Sequence, residues 1–413
     1  MTELPTPRCR FCSAPLRLTF ADLETSPLAN SFVSEEGLRQ GETFLPLHAY
    51  VCEQCFLVQL EEIEAPEEIF SDYVYFSSVS DSWVQHARTY VEATIPRFGL
   101  GTDSSVVELA SNDGYLLQWF VEAGVPVLGI EPAANVAKVA EERGIPSLVE
   151  FFGTETATRL AGESQQADLI VGNNVLAHVP AINDFVEGMR ILLAPGGVIT
   201  MEFPHLLRLI EETQFDTIYH DHYSYLSLLA VEQVFGAHGL RLFDVEELRS
   251  HGGSLRIYAC HADGSHEETE RIAELREREK AGGLHELETY TSFGERVRAL
   301  KREVLSFLVS AREEGKTVAG YGAAAKGVTL VNYCGIRKDL VDYVVDRSEH
   351  KQGLYMPGSR IPVRPPKHVS ETKPDYLLIL AWNLKDEIMG QMSHVREHGT
   401  RFVTPVPHVE VHE

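Results

Sequence analysis

The sequence predicts an α/β chain in which a small cysteine-bearing domain precedes two Rossmann-like parallel-sheet units. Three observations carry that expectation. Four of six cysteines fall in two CxxC pairs near the start. Short apolar runs alternate with helical patterns from about residue 104, and a second alternation begins near residue 317. Length agrees, because 413 residues exceed one ordinary core and suit two or three domains. The expected divisions are 1–68, 69–262 and 263–413.

The cysteine pairs come first. Cys9 and Cys12 lie in CRFC, Cys52 and Cys55 in CEQC. Two-residue spacing lets both thiolates of a pair face one ion, and two pairs complete a tetrahedron. Redox or disulfide cysteines are the competing reading. A thioredoxin-like motif leaves one pair unexplained, and disulfides are rare in the cytoplasm. A structural zinc is expected, closed to chemistry because four thiolates leave no open position. The 39 residues between Cys12 and Cys52 call for a folded loop or small sheet. Cys260 and Cys334 read as small core residues.

The first sheet unit follows. VVELA (106–110), VPVLGIEP (125–132), DLIVGNNVLAHV (168–179) and GGVITMEFP (196–204) read as strands, with helical segments between them. Such alternation implies a parallel sheet with helices on both faces and a ligand at the carboxyl ends of the strands. Glu108 lies in the first strand and Glu131 ends the second, where an acid suits ribose hydroxyls; an ordinary strand-end acid is the alternative. The turn ELASNDG has glycine only at Gly114, so it is not a pyrophosphate cradle of GxGxxG type.

That pattern resembles class I S-adenosylmethionine-dependent methyltransferases. The resemblance makes Ala110 the position where their first motif often has glycine. Asn112 lies in the same turn. Asn173 becomes a candidate cofactor contact and His178 a neighbour of the transferred methyl. Phe151 or Phe152 would stack on adenine, unless they are plain core. Tyr73 and Tyr75, in DYVYFSSVSDSW (72–83), sit in a polar stretch that would close over the cofactor or form a surface loop.

TIYHDHYSY (217–225) concentrates histidine, tyrosine and aspartate. Read as a strand, it puts His220 and His222 on one face, a spacing that also suits a metal. In HGGSLR (251–256) two glycines permit close backbone approach, and His251 faces either a substrate or a simple turn. Residues 265–315 are expected to be helical, with one buried face in VRALKREVLSFLVSA. TVAGYGAAAKGVTLVNY (317–333) reads as strand, tight turn and helix, with Tyr321 at the strand end. Lys326 at the helix start would add charge for a phosphate. Alternatively, Gly320 and Gly322 only allow close packing. Asp346 ends the next strand, with Lys351 behind it.

CRFC…CEQC, YFSSVSDSW, ELASNDGYL, TIYHDHYSYLS, HGGSLR, GYGAAAKG, DRSEHKQG and LILAWN occur in that order. Over almost its whole length the chain resembles the zinc-containing sugar C-methyltransferases that act on nucleotide-linked 4-keto-deoxysugars. The resemblance implies a zinc domain, a class I methyltransferase domain and a C-terminal α/β domain holding the nucleotide sugar. It also implies methylation of carbon three of a sugar on thymidine diphosphate. His222 is then the base, assisted by Tyr219 and Asp221, with His178 lining the pocket. Relatives carry glutamate where this chain has Asp221. His251, Tyr321, Lys326, Asp346 and Lys351 are the expected substrate contacts. Methyl transfer to oxygen or nitrogen, or a scaffold without turnover, are the rival readings.

Bulk properties agree with a small-molecule enzyme. A net charge of −25 disfavours nonspecific nucleic-acid binding, because phosphate contacts need a basic surface. No apolar run is long enough to span a bilayer, and MTELPTPRCR lacks a signal-like start. A cytoplasmic protein, complete as a monomer, is the expectation.

Overall fold

The computed structural model describes residues 6–63 and 76–412. The strand β1 (Leu18–Ser26) pairs antiparallel with β2 (Leu45–Val51), which pairs with β3 (Val58–Leu60). β1 and β2 fill the long interval between the cysteine pairs, as its length requires, and β3 follows the second pair. In β2, Leu47, Ala49 and Val51 are buried while their neighbours are not, the period-2 pattern of a half-covered sheet. Phe20 of β1 stacks on Phe293 at 4.4 Å, so this sheet packs on the carboxy-terminal part of the chain.

The next five strands are parallel. They are β4 (Val106–Leu109), β5 (Val127–Ile130), β6 (Ser147–Leu148), β7 (Ala167–Asn173) and β8 (Leu193–Pro204). All four residues of β4 are buried, as expected when helices cover both faces. The helix α1 (Asp81–Phe98) leads into them. Ser80 starts it by accepting from the Trp83 amide at 3.4 Å, so the last residues of the polar stretch 72–83, from Asp81 on, are helical. Gly99, at φ 64°, ends it.

The chain then returns to the first sheet. The short strand β9 (Ser224–Tyr225) pairs with β3, giving the order β1-β2-β3-β9. Helix α2 (Leu228–Ala237) follows, then β10 (Leu240–Leu248) and β11 (Ser254–His261), antiparallel additions to the large sheet. Its order is β10-β11-β8-β7-β4-β5-β6. The switch point lies between β4 and β7, where the chain, having run outward from β4 to β6, crosses back to the other side of β4, and it is where such sheets hold ligands.

Helices α3 (Glu270–Ala281) and α4 (Phe293–Glu313) occupy most of the segment read as helical. In α4 the buried residues Phe293, Val297, Leu300, Val304, Leu308 and Ala311 recur at helical spacing. The third sheet takes β12 (Val318–Tyr321), then helix α5 (Ala325–Cys334), then β13 (Val344–Val345), β14 (Val363–Arg364), β15 (Tyr376–Ile379), β16 (Arg401–Thr404) and β17 (Glu410–His412). Its order is β14-β13-β12-β15-β16-β17, parallel except for β17. Cys260 and Cys334 are buried core residues, at 1% and 3% exposure. Among the described residues no helix is long and apolar enough to cross a membrane.

One buried carboxylate joins the helical segment to the large sheet. Glu279 of α3 accepts from His205 Nε2 at 2.7 Å and from the Leu228 and Leu229 amides, at 2.6 and 2.9 Å, at the start of α2. Removing it strands three buried donors. Glu279→Ala is expected to cost about 3 kcal/mol, the size seen when a buried hydrogen-bonded charge partner is lost. Urea unfolding measures this, and a loss below about 1 kcal/mol would contradict the assignment.

Candidate active site

The four cysteines converge. Their Sγ atoms all lie within 4.8 Å of one another, with Cys9–Cys55 at 3.6 Å, Cys12–Cys52 at 3.5 Å and Cys12–Cys55 at 3.8 Å. A tetrahedral zinc with Zn–S bonds of about 2.3 Å needs sulfurs roughly 3.8 Å apart, so the donor set fits zinc. None of the six cysteines forms a disulfide. Each knuckle turns at the residue after its second cysteine, Ser13 at φ 61° and Phe56 at φ 59°. There Ser13 N donates to Cys9 O and Phe56 N to Cys52 O. Gln59 Nε2 donates to Cys9 Sγ at 3.2 Å, an outer hydrogen bond that suits a thiolate.

The turn after β4 holds the expected cofactor residues. Ala110 and Asn112 adopt φ 53° and 50°, left-handed values that explain why glycine suits the first of them. Glu131, at the end of β5, accepts from the Asn112 and Ala133 amides, both at 2.9 Å. Burial nevertheless raises its pKa, with those amides opposing. Glu108 is 1% exposed and its Oε2 has no hydrogen-bond partner among the described residues. Burial pushes its pKa well up, and Glu131 adds to the rise. Asn173 Nδ2, at the end of β7, is likewise buried without an acceptor among the described residues. Orphaned polar atoms beside a strained turn are the signature of a site built for a polar ligand, and they fit a cofactor with amino and carboxylate groups. Ser77 N donates to Asn112 Oδ1 at 2.9 Å, and Ser78 Oγ donates to Asp113, so the segment before α1 lies on the turn. Tyr73 and Tyr75 lie outside the described residues. Phe151 is 44% exposed, whereas Phe152 packs edge-on against Phe185 at 5.3 Å.

Residues 217–225 form no continuous strand. A short 3-10 turn (Phe215–Thr217) leads to a turn closed by His222 N donating to Tyr219 O at 2.9 Å, and only Ser224 and Tyr225 are strand. This corrects the reading of His220 and His222 as same-face strand residues. His220 Nε2 bonds Pro46 O of β2 at 3.1 Å, tying the turn to the first sheet. His222 Nδ1 bonds Thr217 O at 3.0 Å. A carbonyl only accepts, so Nδ1 carries the proton and Nε2 the lone pair. Asp221 is therefore not what orients His222; its Oδ2 accepts from Asn30 Nδ2 at 3.4 Å. Burial lifts Asp221 to about 6. Tyr219 and His178 flank His222, with ring centroids at 4.1 and 4.6 Å. Burial, then the neighbouring His178, pushes the His222 pKa well below the ordinary value.

The third sheet's unit meets this turn from the other side. Thr329 of α5 donates to Ile218 O at 3.0 Å. His251 adopts φ 55°, contacts Asn174 Nδ2 at 3.3 Å and accepts Lys326 Nζ on its carbonyl at 3.2 Å. At Gly252, φ 92°, an added Cβ would lie 2.6 Å from Trp382, so the glycine pair admits that ring. Tyr321 is buried at the end of β12. Asp346 accepts from the Ala323 amide at 2.7 Å and the Ser348 amide at 2.8 Å, while Lys351 Nζ donates to Ala323 O at 2.9 Å. Lys326 thus stands with His251, apart from the contacts of Asp346 and Lys351.

Several residues escaped sequence reasoning. Arg10, inside the first knuckle, donates to Pro180 O at 2.8 Å and Leu60 O at 2.5 Å and lies over Tyr223 at 5.3 Å. Asp216 accepts the Trp382 indole N–H at 2.6 Å. Glu202 accepts from His86, Arg256 and Ser250. Burial alone would raise Glu202, but these partners hold it at about 2. A tryptophan in LILAWN and an acid just before TIYHDHYSY were the only signals, and neither names a partner.

His178 yields a pH prediction. Burial lowers its pKa from 6.5 to about 4, opposed by the Asp221 main chain. Above 6.5 the ring is neutral folded and unfolded. As pH falls from 6.5 towards 4, the unfolded chain takes up a proton that the folded chain refuses, so stability is lost. His178→Gln should therefore lose less stability than the parent between about pH 7.5 and about pH 5, measured by urea midpoints. Equal losses would contradict the buried neutral ring.

Known proteins supply the context for this geometry. Three family profiles match: a zinc binding domain over residues 9–70, a methyltransferase domain over 83–245 and a C-methyltransferase C-terminal domain over 249–407. The C-methyltransferase NovU of Streptomyces niveus is 38% identical over 98% of this chain and 97% of its own. A ubiquinone biosynthesis O-methyltransferase of Chelativorans sp. is 28% identical over 95 residues, 23% of this chain and 38% of that one. The full-length match includes all three parts, whereas the O-methyltransferase match is partial. The chain therefore belongs to the C-methyltransferase family that joins these three domains, and it is an S-adenosylmethionine-dependent C-methyltransferase.

Proposed function

We propose that the enzyme methylates carbon three of a nucleotide-linked 4-keto-deoxysugar, with His222 as the base that forms an enolate. S-adenosylmethionine, when bound, supplies an electrophilic methyl group. Carbon becomes nucleophilic only after losing a proton, and an adjacent ketone makes that loss accessible. The observation that carries the reading is the His222 tautomer: Nδ1 is held on Thr217 O, leaving Nε2 as the proton acceptor. Neutrality is favoured too, because burial keeps the ring unprotonated. Tyr219 and His178 flank the His222 ring and would position the sugar. Glu108, Ala110, Asn112, Glu131 and Asn173 would hold the cofactor. The strand-end acid Glu131 would meet ribose hydroxyls through the lone pairs its two amide bonds leave free. Asp221 would meet a sugar hydroxyl. Tyr321, Asp346 and Lys351 line the edge of the third sheet, where the nucleotide would sit. The enzyme's partner is a small molecule, and the domains divide near residues 68 and 262.

Deuterium incorporation tests the base. The substrate, incubated in heavy water with enzyme and S-adenosylhomocysteine, should gain deuterium at carbon three. His222→Ala should lower that rate at least about 100-fold, the usual share of a general base. Full exchange in the variant would remove His222 from the role. Methyl transfer without exchange in the parent would point to an oxygen or nitrogen acceptor, and cofactor binding without any transfer to a scaffold.

A further inference from the structure

We infer that Lys326 is a catalytic residue whose ammonium meets the substrate's ketone oxygen and holds the charge that gathers there as the enolate forms. The inference rests on the enolate reading above and departs from the view of Lys326 as a phosphate ligand.

Lys326 belongs to α5, in the third sheet's unit, and its side chain bridges that unit to His251, which precedes β11 of the large sheet. Nζ donates to the His251 carbonyl at 3.2 Å and to Asn383 Oδ1 at 3.2 Å. It lies 4.7 Å from the centroid of the Trp382 ring. An ammonium has three N–H donors, and among the described residues two are used. The third is available to an incoming acceptor. At 9% exposure the cation is nearly out of water, where a developing oxyanion gains most from it.

Its surroundings keep it charged and in place. Asp216, fixed by the Trp382 indole N–H, supplies the opposing charge that a buried ammonium needs. Thr329, three residues on, bonds Ile218 O and holds α5 against the turn that carries Tyr219 and His222. His251 ties the same ammonium to Asn174 at the end of β7. Two separate tethers thus bring Lys326 beside the turn of His222, and its field adds to the burial that depresses the pKa of both His222 and His251. Burial lowers Lys326 itself to about 8, so it stays mostly protonated at neutral pH. The phosphate alternative is weaker on two counts. The turn before α5 already gives its Ala323 amide to the Asp346 carboxylate, which repels a second anion. The lysine also points away to His251.

The step balances. His222 Nε2 takes the proton from the carbon beside the ketone. The C–H pair becomes the carbon–carbon double bond, and the carbonyl π pair moves to oxygen, opposite Lys326. When the methyl is attached, the oxygen pair re-forms the carbonyl and the alkene pair becomes the new carbon–carbon bond. The sulfur keeps the old bonding pair, and His222 releases its proton to water.

Three measurements on the zinc-loaded enzyme decide the matter: deuterium exchange at saturating substrate, methyl-transfer kcat, and thymidine diphosphate affinity by calorimetry. Lys326→Met should lower exchange and kcat together by about 100-fold or more, with the thymidine diphosphate Kd within about threefold of the parent. That retained affinity shows the variant is folded. Lys326→Arg, which keeps the charge, should retain more exchange than Lys326→Met. A tenfold or greater loss of thymidine diphosphate affinity with exchange intact at saturation would overturn the inference in favour of phosphate binding. Absence of exchange in the parent would overturn the enolate reading itself and this inference with it.

Discussion

The pairing of β3 with β9 is the contact on which the geometry of the candidate site depends. It places Val58 opposite Tyr225 and Gln59 opposite Ser224, and Leu60 N donates to Tyr223 O at 3.0 Å. The strand that leaves the His222 turn is therefore a strand of the cysteine-bearing sheet. Gln59 reaches from this strand pair to Cys9 Sγ, and its Oε1 accepts the Arg10 amide at 2.8 Å. Arg10 in turn holds Pro180, two residues past His178. One set of hydrogen bonds links the metal knuckle to both histidines of the candidate site. A metal held by these cysteines would steady, through these bonds, the turn that carries His222.

The same turn is gripped from the opposite side by α5 and by Trp382. Burying His178, His222, Asp216, Asp221 and Lys326 in one place is unfavourable for each group, and their pKa shifts record that: histidines down, acids up, lysine down. Such a cluster persists because the frame around it is apolar and continuous. One core cluster runs from Phe20 and Leu47 through Leu206 and Phe215 to Phe293 and Leu330, joining all three parts of the chain. Stability is concentrated in that shared core, and the site draws on it for its strained and partly satisfied groups.

What was legible in the sequence follows from range. Cys9, Cys12, Cys52 and Cys55 were legible because two-residue spacing is itself the geometry of a knuckle. The parallel sheets were legible because buried strands and amphipathic helices repeat locally, and Glu131 because it ends a strand. The turn at 217–222 was not, since histidine and tyrosine alternate there as in a strand and only tertiary packing bends it. Arg10 and Asp216 were invisible for a different reason. Their partners Pro180 and Trp382 lie 170 and 166 residues away, and neither arginine nor aspartate announces such a partner. Lys326 was noticed for its place at a helix start, but its side chain answers to His251, 75 residues back.

The most direct test of this account is nitrogen NMR of the His222 ring, with and without zinc. In zinc-loaded protein at neutral pH, Nδ1 should be protonated and Nε2 should show the shift of an unprotonated nitrogen. Removing zinc with a chelator, under conditions where the large sheet stays folded, should release the turn and mix the two tautomers. A single Nδ1-protonated ring that survives zinc removal unchanged would contradict the claim that the cysteine sheet sets the His222 turn.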